Sequence, residues 1–224
     1  MTGTDSQLSL TLKLREDATL ASYLGSAAGR LRQATGVVYL WGARGSGRSH
    51  LLQGLCHEAI DAGRSAIYVE APARAELRVL DGVEQFELVC IDDIDRLVGQ
   101  EEAPEIALFH LVNGVRDRGG KLVLAGRAPP RELGVNLPDL RSRLLAAAHL
   151  ETDHLDDDAK LRVLQRKAEA QGFVLSDQVG RFIMSRADRN MTALISLLER
   201  LEAESLRRQK RVTLPFVREI LALP

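Results

Sequence analysis

The chain predicts an α/β fold: a five-stranded, largely parallel sheet with helices on both faces, followed by a small all-α unit. Three observations carry this. Short apolar runs alternate with amphipathic runs of helical length between Val37 and Glu151, the rhythm of a right-handed wound sheet. The first apolar run, Val37-Val38-Tyr39-Leu40-Trp41, feeds a glycine-rich turn, Gly42-Ala43-Arg44-Gly45-Ser46-Gly47-Arg48-Ser49, which opens an amphipathic run to Ala62. After Asp153 the strand signal stops and only helical spacing remains.

The 224 residues suffice for one α/β core and a small second unit. Thirty basic residues against 31 acidic ones give a net charge of −1, which argues against a dedicated DNA-coating surface. Cys56 and Cys90 fall in a predicted helix and a predicted strand, so they read as buried small hydrophobes. No apolar run approaches membrane-spanning length and no basic-then-apolar leader opens the chain, so a cytoplasmic protein without membrane contact is expected.

In order, Gln7-Leu8-Ser9-Leu10-Thr11-Leu12-Lys13-Leu14 alternates with period two. It reads either as an edge strand or as a terminal peptide that docks into another protein's groove. A short helix-like stretch follows over 18–34. Beyond the glycine turn come a strand at 65–69, a loop or weak helix at 70–81 and an apolar strand at 86–91 ending in Asp92-Asp93-Ile94-Asp95. Residues 102–118 read as a helix closed by Gly119-Gly120. A buried strand at 121–125, the breaker Gly126-Arg127-Ala128-Pro129-Pro130, a helix at 137–147 and a fifth strand at His149-Leu150-Glu151 complete the sheet. Four helices follow: one capped by Asp156-Asp157-Asp158, one by Ser176-Asp177, one over 191–208, and one capped by Thr213 with Pro215 in its first turn. The organisation is thus a terminal peptide (1–15), an α/β unit (16–153) and a helical unit (154–224).

Strand, glycine turn and helix are the setting of a phosphate-binding loop. Backbone N–H groups converge on an anion there, and the helix N-terminus adds partial positive charge. Gly42, Gly45, Ser46, Gly47, Arg48, Ser49 and His50 are the candidate contacts. Arg48 stands where the pattern asks for lysine; its broader fork keeps the charge, so phosphate binding is expected to survive and self-catalysed hydrolysis to be poor. Ser49 and Asp92 are candidate Mg²⁺ holders, Asp92 through water at the C-terminal end of its strand, where such sheets place ligands. Asp93 could polarise an attacking water, whereas Asp95 reads as a helix cap or a solvated acid. Arg141-Ser142-Arg143 by itself reads as surface charge. The five histidines have no zinc spacing.

Several segments resemble the Hda family of DnaA regulatory inactivators, within the DnaA-related AAA+ proteins. They are Gln7-Leu8-Ser9-Leu10, Tyr39-Leu40-Trp41-Gly42, Gly47-Arg48-Ser49-His50-Leu51-Leu52, Leu88-Val89-Cys90-Ile91-Asp92, Leu137-Pro138-Asp139-Leu140 and Leu214-Pro215-Phe216-Val217. The resemblance spans nearly the whole chain and implies a P-loop AAA+ module with a helical lid. It further implies a negative regulator of replication initiation that binds the DNA-loaded sliding clamp, the β subunit of DNA polymerase III, through Gln7, Leu8, Leu10 and Leu12. Such a protein promotes ATP hydrolysis by the initiator DnaA in trans through an arginine finger, which maps to Arg143. Its own loop would hold ADP or another nucleoside diphosphate as a structural ligand, and self-association into a homodimer is compatible with the module. Two departures touch nucleotide sensing: Gly126-Arg127 stand where a polar residue is expected at the fourth strand's end, and Thr192 replaces the lid arginine, with Arg189 the nearest alternative. Rival readings are an autonomous P-loop ATPase, opposed by Arg48, and a helicase-loader-like adaptor for single-stranded DNA, opposed by an aromatic content of 4%.

Overall fold

The apolar runs form five strands in the computed structural model, which describes residues 14–188 and 190–221. They are β1 (Val37–Trp41), β2 (Ala66–Glu70), β3 (Leu88–Asp92), β4 (Lys121–Gly126) and β5 (Ala148–Glu151), in sheet order β2-β3-β4-β1-β5. All four pairings are parallel, as crossovers through helices require. Alternation along each strand splits the core. Tyr39, Ile67, Val89, Ile91, Leu122 and Leu124 pack with α3 (Glu102–Asp117) and α4 (Pro138–Ala146) on one face. Val38, Leu40, Cys90, Val123 and Ala125 pack with α1 (Ala27–Gln33) and α2 (Arg48–Asp61) on the other. Each fully buried leucine in these layers contributes roughly 1.5–3 kcal/mol. The chain thus has the five-stranded α/β fold and the helical C-terminal unit that its sequence predicts.

Cys56 and Cys90 are both buried and free, and burial pushes the Cys90 thiol well above its ordinary range. They serve as packing residues.

The helical unit has its own core, with Leu161, Leu164, Val179, Ile183, Leu194, Leu198, Phe216 and Val217 at its centre. Its helices are α5 (Asp157–Ala170), α6 (Asp177–Arg186), α7 (Met191–Arg208) and α8 (Leu214–Ile220). Side chains of Asp156, Ser176 and Asn190 cap the first three by accepting from Ala159, Val179 and Ala193 N–H. Thr213 holds the N-cap position of α8 without a side-chain hydrogen bond, and Pro215 starts that helix.

The expected helix over 18–34 is divided. A single 3-10 turn, Leu20–Ser22, is closed by Thr19 and Ser22 as a capping box, and the chain then turns at Gly25 with φ +141° before α1. The cause lies far away in sequence. Asp153, just beyond β5, accepts from Ala27 N–H at 2.8 Å and from Ser26 Oγ at 3.0 Å, capping α1 from outside. A Cβ at Gly25 would lie 2.4 Å from that carboxylate, so only glycine lets it approach. The stretch at 70–81 contains a 3-10 helix, Arg74–Leu80.

Candidate functional site

The turn between β1 and α2 has the geometry of an anion cradle. Gly45 and Gly47 adopt φ of +78° and +91°, and Gly47 is the N-cap of α2. Gly42 is buried and donates its N–H to Gly126 O at 3.3 Å, which ties the loop to the β4 tip. The Ser46 hydroxyl oxygen is buried without a hydrogen-bond partner among the described residues. Ser49 is exposed in the first turn of α2.

Opposite the loop, the end of β3 brings two acids, Asp93 and Asp95, to Arg48. Asp93 adopts a left-handed conformation, φ +51°, a strained position for a non-glycine residue. It accepts from Arg48 Nη2 at 3.1 Å. Asp95 Oδ2 lies 3.9 Å from Arg48 Nη1 and its carboxylate accepts from Arg127 N–H at 3.0 Å. The sequence reading of Asp95 as a cap or solvated acid is therefore corrected: it bridges Arg48 to the β4 tip. Asp92 is 2% exposed, and both its oxygens are engaged, by the Tyr68 hydroxyl and by Asp93 N–H, each at 2.9 Å. Burial, and then the nearby Asp92, raise the Tyr68 phenol well above its ordinary range. Arg48 is 7% exposed and its Nη1 has no hydrogen-bond partner among the described residues.

The helical unit reaches the same loop. A Cβ on Gly45 would lie 3.1 Å from Met191 N and 3.4 Å from Thr192 N, so the first turn of α7 sits directly over the loop. Those first-turn N–H groups have no intrahelical acceptor. Thr192 is exposed there, and Arg189 lies outside the described residues. His50 is placed elsewhere than the loop: its Nε2 lies 2.9 Å from both Thr19 O and Ser22 Oγ. A carbonyl only accepts, so Nε2 carries the proton. Burial lowers the His50 pKa despite that bond.

Arg143 lies in the last turn of α4, half-buried, with no hydrogen bond or ion pair to another described residue. The start of α4 is held by Glu105 of α3, a fully buried carboxylate that sequence reasoning did not single out. It accepts from Gly99 N–H at 2.7 Å, Asn136 N–H at 3.1 Å and Leu137 N–H at 2.6 Å. Gln7, Leu8, Leu10 and Leu12 lie outside the described residues.

A cleft of about 320 Å³ opens beside the loop, lined by Trp41, Ser46, Arg127, Glu132, Thr152 and His154 among others. A larger cleft of about 630 Å³ lies at the opposite end of the sheet, among Arg32, Arg64, Arg118 and Lys121. The C-termini of α1, α2 and α3 point that way, so cations there offset helix dipoles. No helix among the described residues is long and apolar enough to cross a membrane.

Residues 157–221 match the family described as Hda, lid domain. Among solved structures, domain III of the Thermotoga maritima replication initiation protein DnaA is similar at 18% identity, covering 93% of this chain and 97% of that one, with a TM-score of 0.80. AMPPCP-bound DnaA from Aquifex aeolicus is similar at 22% identity over 88% of this chain and 69% of that one, TM-score 0.65. The Thermotoga maritima RuvB Holliday junction branch migration motor follows at 20% identity over 90% and 67%, TM-score 0.61. The sheet order, the glycine loop and the helical unit are thus those of one known architecture: the chain has a DnaA-like AAA+ fold, and its helical unit matches the Hda lid family.

Proposed function

We propose that this chain is a cytoplasmic negative regulator of replication initiation that stimulates ATP hydrolysis by the initiator DnaA in trans. The observation that carries the reading is the Hda-type lid on a DnaA-like fold. The loop at 42–49 holds ADP or another nucleoside diphosphate: left-handed glycines free its N–H groups, and the N-terminus of α2 lies behind them. That a protein of similar fold is AMPPCP-bound supports a nucleotide ligand for this chain. Arg143 acts outside the chain. A guanidinium with no hydrogen-bond or ion-pair partner among the described residues is available to a neighbour, and it would stabilise charge on the transferring phosphoryl group, an effect of ~10³–10⁵ in rate for such fingers. Gln7, Leu8, Leu10 and Leu12 bring the chain to the DNA-loaded clamp, which supplies the contact with DNA. An autonomous ATPase is disfavoured because Asp93, the candidate for polarising water, already has one oxygen paired with Arg48.

The test is the initiator's single-turnover ATP hydrolysis in the presence of DNA-loaded clamp. The parent chain is expected to accelerate it. Arg143→Ala should lose at least about a hundredfold of that acceleration while still binding the clamp. A chain lacking residues 1–12 should lose clamp binding. Full stimulation by Arg143→Ala would remove the finger from this residue, and no stimulation by the parent would sink the regulatory reading.

A further inference from the structure

The electrostatics around Arg48 carry one step further, and the step rests on the nucleotide reading above. We propose that this loop takes a nucleoside diphosphate without a divalent cation, Arg48 supplying the counter-charge. The Mg²⁺ donors expected from the sequence are Ser49, which is exposed, and Asp92, whose surroundings do not fit the ion. Mg²⁺ dehydrates reluctantly and is bound at such sites through retained waters. Asp92 is 2% exposed and each oxygen already accepts one hydrogen bond, so burial leaves its carboxylate little access to a hydrated ion. Asp93 presents one oxygen to Arg48 at 3.1 Å, and a divalent ion beside it would face the charge of that buried guanidinium.

Positive potential instead comes from the protein itself. Arg48 stands at the first position of α2, and its 8% exposed side chain holds its charge between the loop and the β3 end. Its Nη1, buried and without a hydrogen-bond partner among the described residues, is a donor still to be used. So is the Ser46 hydroxyl, buried in the loop itself. From the other side come the first-turn N–H groups at Met191 and Thr192, packed over Gly45. Two helix N-termini and one fixed cation therefore converge on the loop, an arrangement suited to a diphosphate. Asp93 and Asp95 act here as positioning residues that aim the guanidinium.

The experiment is titration of the full, nucleotide-stripped chain with N-methylanthraniloyl-ADP, once in EDTA and once in excess Mg²⁺. Affinities within about threefold of each other are the expected result. Weaker binding in EDTA by more than that overturns the metal-free proposal and leaves the nucleotide reading standing. Absence of binding in both buffers overturns the nucleotide reading, and this proposal with it. Arg48→Lys supplies the second arm: a compact ammonium cannot span from Asp93 to Asp95, so this variant is expected to bind at least about tenfold more tightly with Mg²⁺ than without. Equal affinity of Arg48→Lys in the two buffers would show that the arginine does not replace the metal.

Discussion

Gly126 ends β4 beneath the hydroxyl of Tyr39, and a Cβ added there would lie 2.1 Å from that oxygen and 3.5 Å from Asp95 Oδ2. Tyr39 in turn donates to Ala128 O at 2.7 Å, which holds the ring in place, and burial raises its phenol pKa. The polar residue expected from the sequence has no room at this position. Gly126→Ala is expected to destabilise the fold by about 1–3 kcal/mol, the range for overpacking a filled interior. Tyr39→Phe removes the nearest atom, so the double variant should recover part of that loss in urea unfolding, a non-additive cycle. Strict additivity would mean that the two groups do not meet. The departure at 126 was visible in the sequence, but its cause was not, because Tyr39 sits 87 positions earlier and reads there as an ordinary strand aromatic. Asp95 was misread for the same reason: its partners are an arginine from the loop and a backbone N–H from β4.

The elements were legible where local signals set them. Strands followed apolar runs, and glycines and capping side chains marked the helix ends. What escaped was held by contacts between elements. Glu105 looks in sequence like any acid on a helix, yet it is fully buried and its carboxylate gathers three backbone N–H groups from two separate loops. It thereby fixes the entry to α4 and, through that helix, the direction of Arg143. Glu105→Gln keeps the shape but replaces one acceptor oxygen by an NH₂ group, so at least one buried N–H loses its partner. A stability loss of about 1–3 kcal/mol is expected, read from the urea midpoint. Stimulation of the initiator should fall as well, while nucleotide affinity at the distant loop is retained. If affinity fell with stimulation, Glu105 would be supporting the whole α/β unit rather than α4.

At the scale of the whole molecule, the segment from Leu14 to Tyr23 joins α2 to the helical unit. It lies on α2, where Arg15 N–H donates to Gln53 Oε1 at 2.9 Å, and a Cβ on Gly54 would strike Leu20 N at 2.7 Å. It also meets the helical unit, where Lys167 bridges Asp17 at 2.6 Å and Glu199 at 3.2 Å. Two titrating groups hold this junction, and they release it at different pH. Burial opposes the Asp17 charge, but hydrogen bonds from Lys167 and Arg15 outweigh it and bring the pKa down to about 2. Its contribution is present above the unfolded value of 3.8 and is lost only as pH falls from there toward about 2. His50 is held neutral by burial, with its pKa below 6.5. The unfolded chain therefore takes up that proton first, and stability declines as pH falls below 6.5. Urea unfolding should accordingly show a loss of stability as pH falls below 6.5 that His50→Gln flattens and Asp17→Asn leaves in place. A slope unchanged in His50→Gln would assign the acid sensitivity to another group and leave the junction held by Asp17 and Lys167 alone.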